Sequence, residues 1–145
     1  MGDATVGARE PVTTNLPRYN PPFDWPTSLA EVARRAGDPE GSFWTEIRDF
    51  LRAFYCEEDP TIHQAMIADE PAAAGTVEDA YLGAVAEHLS IHWDLDVPDW
   101  SWQPNRFLHR PWFAGPDSFK VMLLVEAPAA FRRRMLFVPA STIRW

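Results

Sequence analysis

Residues 76–93, TVEDAYLGAVAEHLSIHW, decide the fold class. Thr76 and Asp79 stand at capping-box spacing, and the run that follows predicts a helix of about five turns. At about 100° per residue, Val77, Tyr81 and Val85 share one stripe, and His88 and His92 fall at its centre. The stretch on its N-terminal side repeats the helical theme. SFWTEIRDFLRAFY (42–55) places Phe43, Ile47, Phe50, Leu51 and Phe54 on one face, with Arg48, Asp49 and Arg52 on the other.

Working outward, Ser28 with Glu31 forms a capping box that opens a helix, and Gly37 is its expected stop. GDPEG (37–41) is a turn. Asp59 before Pro60 starts a shorter helix that ends before Pro71. Residues 97–116 hold four prolines and five aromatics and read as an irregular loop, with one short turn around 105–108. DSFKVMLLVEA (117–127) predicts a further helix, and PAAFRRR (128–134) a short one with Pro128 at its first position. MLFVPASTI (135–143) reads as a terminal strand or an extended tail. The expected fold is all-α: a compact domain of five to six helices over 27–145, with a Pro/Trp-rich loop and a short C-terminal strand. Residues 1–26, with five prolines, are expected to be an extended arm anchored by Phe23 and Trp25.

The 145 residues are enough to bury a core without covalent staples. Cys56 is the only cysteine, which rules out an intrachain disulfide and a thiolate cluster. No basic-then-apolar leader and no stretch of about 18 apolar residues is seen, so a cytoplasmic, non-membrane protein is expected. The formal net charge of −8 argues against nucleic-acid binding, which needs clustered cations. That charge is uneven. Residues 127–145 carry Arg132, Arg133, Arg134 and Arg144 and no acid, whereas acids crowd 38–70. Internal pairing between these poles is expected.

Three sets of residues could carry chemistry. His88 and His92, four apart on one helix, have chelation spacing for a divalent metal, with His63, Asp94 or Asp96 as a third ligand. The preferred reading makes them histidines of the core or its edge, bonded to a carbonyl, Tyr81 or a nearby acid. If buried and neutral, they should lower stability below about pH 6. The second set is the aromatic loop, where Trp100 and Trp112 with Arg106 and Arg110 could form a partner-binding or stacking surface. The preferred reading for most of these rings is a small core packed on prolines, with one or two left exposed at an interface. The third is Arg132–Arg134, which point about 100° apart on a helix and so cannot form one flat patch. One of them is expected to turn inward to an acid or to carbonyls, leaving the others for a protein partner or an anion. No nucleophile elbow or phosphate loop is present, the paired carboxylates Asp94 with Asp96 and Glu57–Asp59 read as solvated loop charge in preference to a catalytic pair, and Cys56 lies beside Glu57 and Glu58, which disfavour a thiolate. No catalytic residue and no cofactor is assigned.

IADEPAAAGTVEDAYLGAVAEHLS, VPDWSWQPNRFLHRPWF and VEAPAAFRRRMLFVPAS together resemble an uncharacterised helical domain of actinobacteria. In that family P-x-x-T/S-G, A-E-H-L-A, P-x-W, R-F-L-x-x-P-W-F and P-x-A-F-R-R-R-x-I-F-V recur in this order, matching about residues 42–140. It lies behind Xre-type helix-turn-helix regulators or beside nucleotidyltransferase-like genes of toxin–antitoxin type. His88, Trp100, Arg106, Phe107, Leu108, Pro111, Trp112, Phe113 and Phe131–Arg134 occupy its motif positions. Its usual glycine after the arginines is Met135 here, and no helix-turn-helix is present. The resemblance implies a regulatory, antitoxin-like module that docks a protein, one encoded nearby or a second copy of itself. The alternative is a metal- or anion-binding protein or enzyme using the His88/His92 face.

Overall fold

A computed structural model of the chain describes residues 23–143; the expected arm up to residue 22, and Arg144 with Trp145, lie outside the described residues. These residues are helical for the most part. The elements are α1 (Leu29–Ala36), α2 (Phe43–Cys56), α3 (Pro60–Ala68), α4 (Thr76–His92), β1 (Trp112–Phe113), α5 (Lys120–Glu126), α6 (Ala129–Arg132) and β2 (Leu136–Phe137). Short 3-10 turns at Asp99–Trp102, Pro104–Arg106, Asp117–Phe119 and Ala140–Ile143 punctuate the second half.

Local chemistry sets the helix starts. Ser28 Oγ accepts the N–H of Glu31 at 3.0 Å, and Glu31 accepts the N–H of Thr27 at 2.9 Å. The expected box is thus closed one residue earlier than its usual geometry. Asp59 accepts the N–H of Thr61 at 2.8 Å, with Pro60 in the first turn of α3. At α4 the cap differs from expectation. Thr76 is the first helical residue, and Gly75 precedes it with φ 145°, a conformation that favours glycine. Asp79 reaches past the cap and accepts the N–H of Ala74 at 2.8 Å.

The single stripe expected on α4 is replaced by burial on all sides. Every residue from Asp79 to Glu87 is buried. The reason is position: α4 is packed by α6 and by both 3-10 turns of the aromatic loop. Ala80, Gly83, Ala84 and Ala86 let those neighbours come close. The stripe's C-terminal end runs out to the surface, so His88 is half-buried and His92 exposed.

The loop over 97–116 carries two 3-10 turns and one strand. β1 and β2 pair in parallel, Trp112 opposite Leu136 and Phe113 opposite Phe137. Around them, the N–H of Leu108 donates to Arg134 at 3.4 Å, Trp112 to Met135 at 2.9 Å and Ala114 to Phe137 at 3.0 Å. The expected terminal strand is real but two residues long, and Ala140–Ile143 turns as a 3-10 segment. Pro128 sits just before α6 as its N-cap. Met135 has φ 62°, in the left-handed region that favours glycine. The main core draws on α1 to α4, α6 and β2, while Leu123, Ala127 and Phe137 form a small separate cluster. No helix among the described residues is long and apolar enough to cross a membrane.

Candidate functional site

Two places gather the residues singled out above, and a third joins them. The first is a buried charge centre against α4. Glu87 is buried, and its carboxylate accepts from both Arg133 and Arg134. The inward tie expected of the arginines is therefore made, but to an acid of α4 rather than to the acidic stretch at 38–70. Arg134 is 0% exposed and also donates to the carbonyls of Ala130 (3.0 Å) and Ser101 (2.8 Å). Its guanidinium lies 4.5 Å from the ring centre of Phe107 and 5.3 Å from that of Trp102.

Arg106, 1% exposed, does the same work about two turns away along α4, at Asp79. It donates to the carbonyls of Pro71 (3.0 Å) and Asp79 (3.3 Å), approaches the Asp79 carboxylate at 3.8 Å, and covers the Trp100 ring at 4.8 Å. Gly83 makes room for both arginines. A Cβ there would stand 2.9 Å from Arg106 Cβ and 3.1 Å from Arg134 Nε.

The electrostatics follow from this packing. Burial pushes the Glu87 carboxyl up, but hydrogen bonds from Arg133 and Arg134 and their charges outweigh it, so it sits below the usual carboxylate range. For Arg134 burial lowers the pKa and Glu87 opposes it; for Arg106 burial again dominates over Asp79. Trp100 is buried too, its indole N–H donating to the Ile67 carbonyl at 3.1 Å. Trp112 is half-buried, stacked on Trp44 with ring centres 5.7 Å apart.

As docking groups, then, Arg106, Arg134 and Trp100 need correction: all three are buried, their terminal guanidinium N–H groups and the indole N–H are committed within the chain, and the Nε of each arginine is buried without a partner. Arg110 and Arg132 are exposed, and Arg133 is half-exposed while holding Glu87. The aromatic loop follows the preferred reading given for it: of its five rings only Trp102 is exposed.

The second place is a cleft of about 600 Å³ lined by Tyr55, His88, His92, Trp93, Glu126 and Ile143. The two imidazoles face each other with centres 4.2 Å apart. Burial, then the neighbouring His92, lowers the His88 pKa to about 4, with Glu87 opposing, so its ring is neutral at physiological pH. Burial pushes the Tyr55 phenol up to about 12, and its O–H donates to the Ile143 carbonyl. The proposed third ligands lie elsewhere. His63 is buried, stacked on Phe54, with Nε2 2.9 Å from the Phe54 carbonyl, and Asp94 and Asp96 are exposed. Among the described residues no group of three or more His, Cys, Asp or Glu side chains is arranged to hold a metal ion.

The third place was not singled out in the sequence. α5 buries only Leu123 (1% exposed), while Val121 (75%), Val125 (74%), Phe119, Met122 and Leu124 are exposed. A signal was present: VMLLV (121–125) is apolar around the whole helix, more than one contact face of a seven-residue helix can bury.

No protein-family model, curated protein or solved structure matches this chain.

Proposed function

We propose that this protein is a non-enzymatic, protein-docking module, of regulatory or antitoxin-like type, whose docking surface is the exposed face of α5. One observation carries the reading: five large apolar side chains over Phe119–Val125 are exposed together. Contiguous apolar surface of this kind, with charged groups at its rim, marks association sites. Lys120 and Glu126 supply that rim. Arg110 and Arg132 remain as accessible cations for an acidic partner, whereas the buried arginines act by holding the loop and the C-terminal segment against α4.

The test is affinity capture from the source cells with the tagged protein and with V125D, partners being identified by mass spectrometry. The expected outcome is a stoichiometric protein on the former that is lost on the latter, with unchanged far-UV circular dichroism. Equal recovery by both, or association by neither, refutes the α5 surface.

A second reading rests on the His88/His92 cleft, whose aromatic walls, neutral imidazole and Glu126 rim suit a small ligand or a metal ion. Titration with zinc or nickel ions should then shift the two imidazole NMR signals and give heat that H88F removes. A flat titration refutes it.

A further inference from the structure

We infer that the cleft bordered by Tyr55, His88, His92 and Glu126 binds a small organic cation, a primary amine on an aromatic or branched aliphatic body. This rests on the reading of that cleft as a ligand site and adds the chemical class of the ligand.

Helix ends build the cleft. Tyr55 stands in the last turn of α2, His88 and His92 at the end of α4, and Glu126 is the last residue of α5. A helix carries a partial negative charge over its final carbonyls, so the negative ends of α2, α4 and α5 border one cavity. α6 begins beside it with the opposite sign, but α6 is a single turn and its dipole is correspondingly small.

The side chains point the same way. Among the described residues lining the cleft, Glu126 is a carboxylate and none is lysine or arginine. One Glu126 oxygen accepts the Ala140 N–H at 3.2 Å, which holds the carboxylate at the rim, and no described cation pairs with it. The His88 ring makes no hydrogen bond to another described residue. Burial keeps that ring neutral, so it offers a lone pair in place of a competing charge.

The walls suit the body of such a ligand. The Tyr55 and Trp93 rings meet with centres 5.1 Å apart at 45°. The Tyr55 hydroxyl is committed to the Ile143 carbonyl, so Tyr55 offers its ring. An ammonium group is drawn to ring faces and brings three N–H donors for an imidazole nitrogen and a carboxylate. Its apolar body then covers the aromatic wall, and about 600 Å³ is room for it. A metal ion is served less well, because among the described residues no third ligand joins the two histidines.

The experiment is calorimetric and NMR titration of the full chain near pH 8 with three probes of similar shape: 2-phenylethylamine, 2-phenylethanol and 3-phenylpropionate. The amine should bind with a Kd on the order of 1 mM, as about nine non-hydrogen atoms allow, and should shift the imidazole signals of His88 and His92. The alcohol should bind roughly tenfold more weakly and the carboxylate more weakly still. E126Q, whose amide oxygen can still accept the Ala140 N–H, should weaken the amine by roughly fivefold and leave the alcohol unchanged. Unchanged circular dichroism separates this effect from misfolding.

An amine that binds no better than the alcohol overturns the inference, as does an E126Q that holds the amine as tightly as the natural sequence, or a shift confined to signals other than those of the cleft. If all three probes bind alike, the cation is refuted while the cleft stands as a ligand site. If no probe binds but zinc or nickel ions do, the cation is refuted while the metal form of the cleft reading stands. If neither probes nor metal ions bind, both fall.

Discussion

Two regions of this molecule reverse the usual sorting of side chains. Against α4, two arginines and a glutamate are buried; on α5, two valines are about three-quarters exposed. In the first region the guanidinium groups reach a carboxylate, four carbonyls and ring faces. Burying a charge is tolerated when it is paired and hydrogen-bonded in this way. In the second, apolar surface stays in water because nothing in the described chain covers it. Polarity alone therefore assigns neither region; what matters is whether each group has a partner within reach.

The sharpest way to break the buried centre is E87Q, which leaves Arg134 charged, enclosed and without its counter-ion. Chemical denaturation should show a loss of about 3–5 kcal/mol. Replacing both charges with apolar residues of similar volume, E87L with R134M, should cost less than the two single changes summed. An additive result would show that Glu87 and Arg134 are not energetically coupled.

G83A comes next, as it forces a methyl against Arg106 Cβ at 2.9 Å. An overpacking loss of about 1–3 kcal/mol is expected. An unchanged melting temperature would mean that the loop can move away from α4 at little cost.

The His88 cleft lies between the two extremes, half-buried, and its effect depends on pH. The folded pKa of about 4 is below the ordinary histidine value of 6.5. As pH falls from 6.5 toward 4, the unfolded chain takes up the proton first, so stability present above that window is lost across it. After screening by the open cleft, about 1 kcal/mol should be gone by pH 5 in the natural sequence and retained in H88F. Equal slopes for the two proteins would refute the neutral buried imidazole. Glu87 adds a separate loss only below its ordinary range, near and under pH 4.5, because its folded pKa is lowered.

The smallest expected effect is on the exposed side. V125D should change the stability of the monomer by less than about 0.5 kcal/mol, since the side chain is already in water. A large loss, measured at concentrations where the chain is monomeric, would show that α5 packs against something within the chain.

Legibility differed by element. α2 is legible from the spacing of its apolar residues and α3 from Asp59 before Pro60, because both are local facts. α4 was placed to within a residue, yet its stripe was misread: a helix surrounded by neighbours has no solvent face for periodicity to report. Inward packing of most rings of the aromatic loop is the preferred reading of the sequence, but which of them stay outside is not legible, since a Trp beside an Arg looks the same whether it meets a partner or its own core. α5 reads as an ordinary helix from its local pattern, although its five consecutive apolar residues, 121–125, are more than one contact face can bury.

The sequence by itself determined the helical class, the starts of α1 to α3, the single cysteine and the inward turn of one C-terminal arginine. Those follow from short-range geometry and from the cost of leaving a guanidinium unpaired. Only the tertiary structure decided which arginines are buried, that Glu87 is their acid, and that RFLHRPWF and FRRRMLFV are joined by a parallel strand pair. Such pairings connect residues tens of positions apart. They depend on which surfaces remain after the local elements form, and the order of the residues along the chain does not encode that directly.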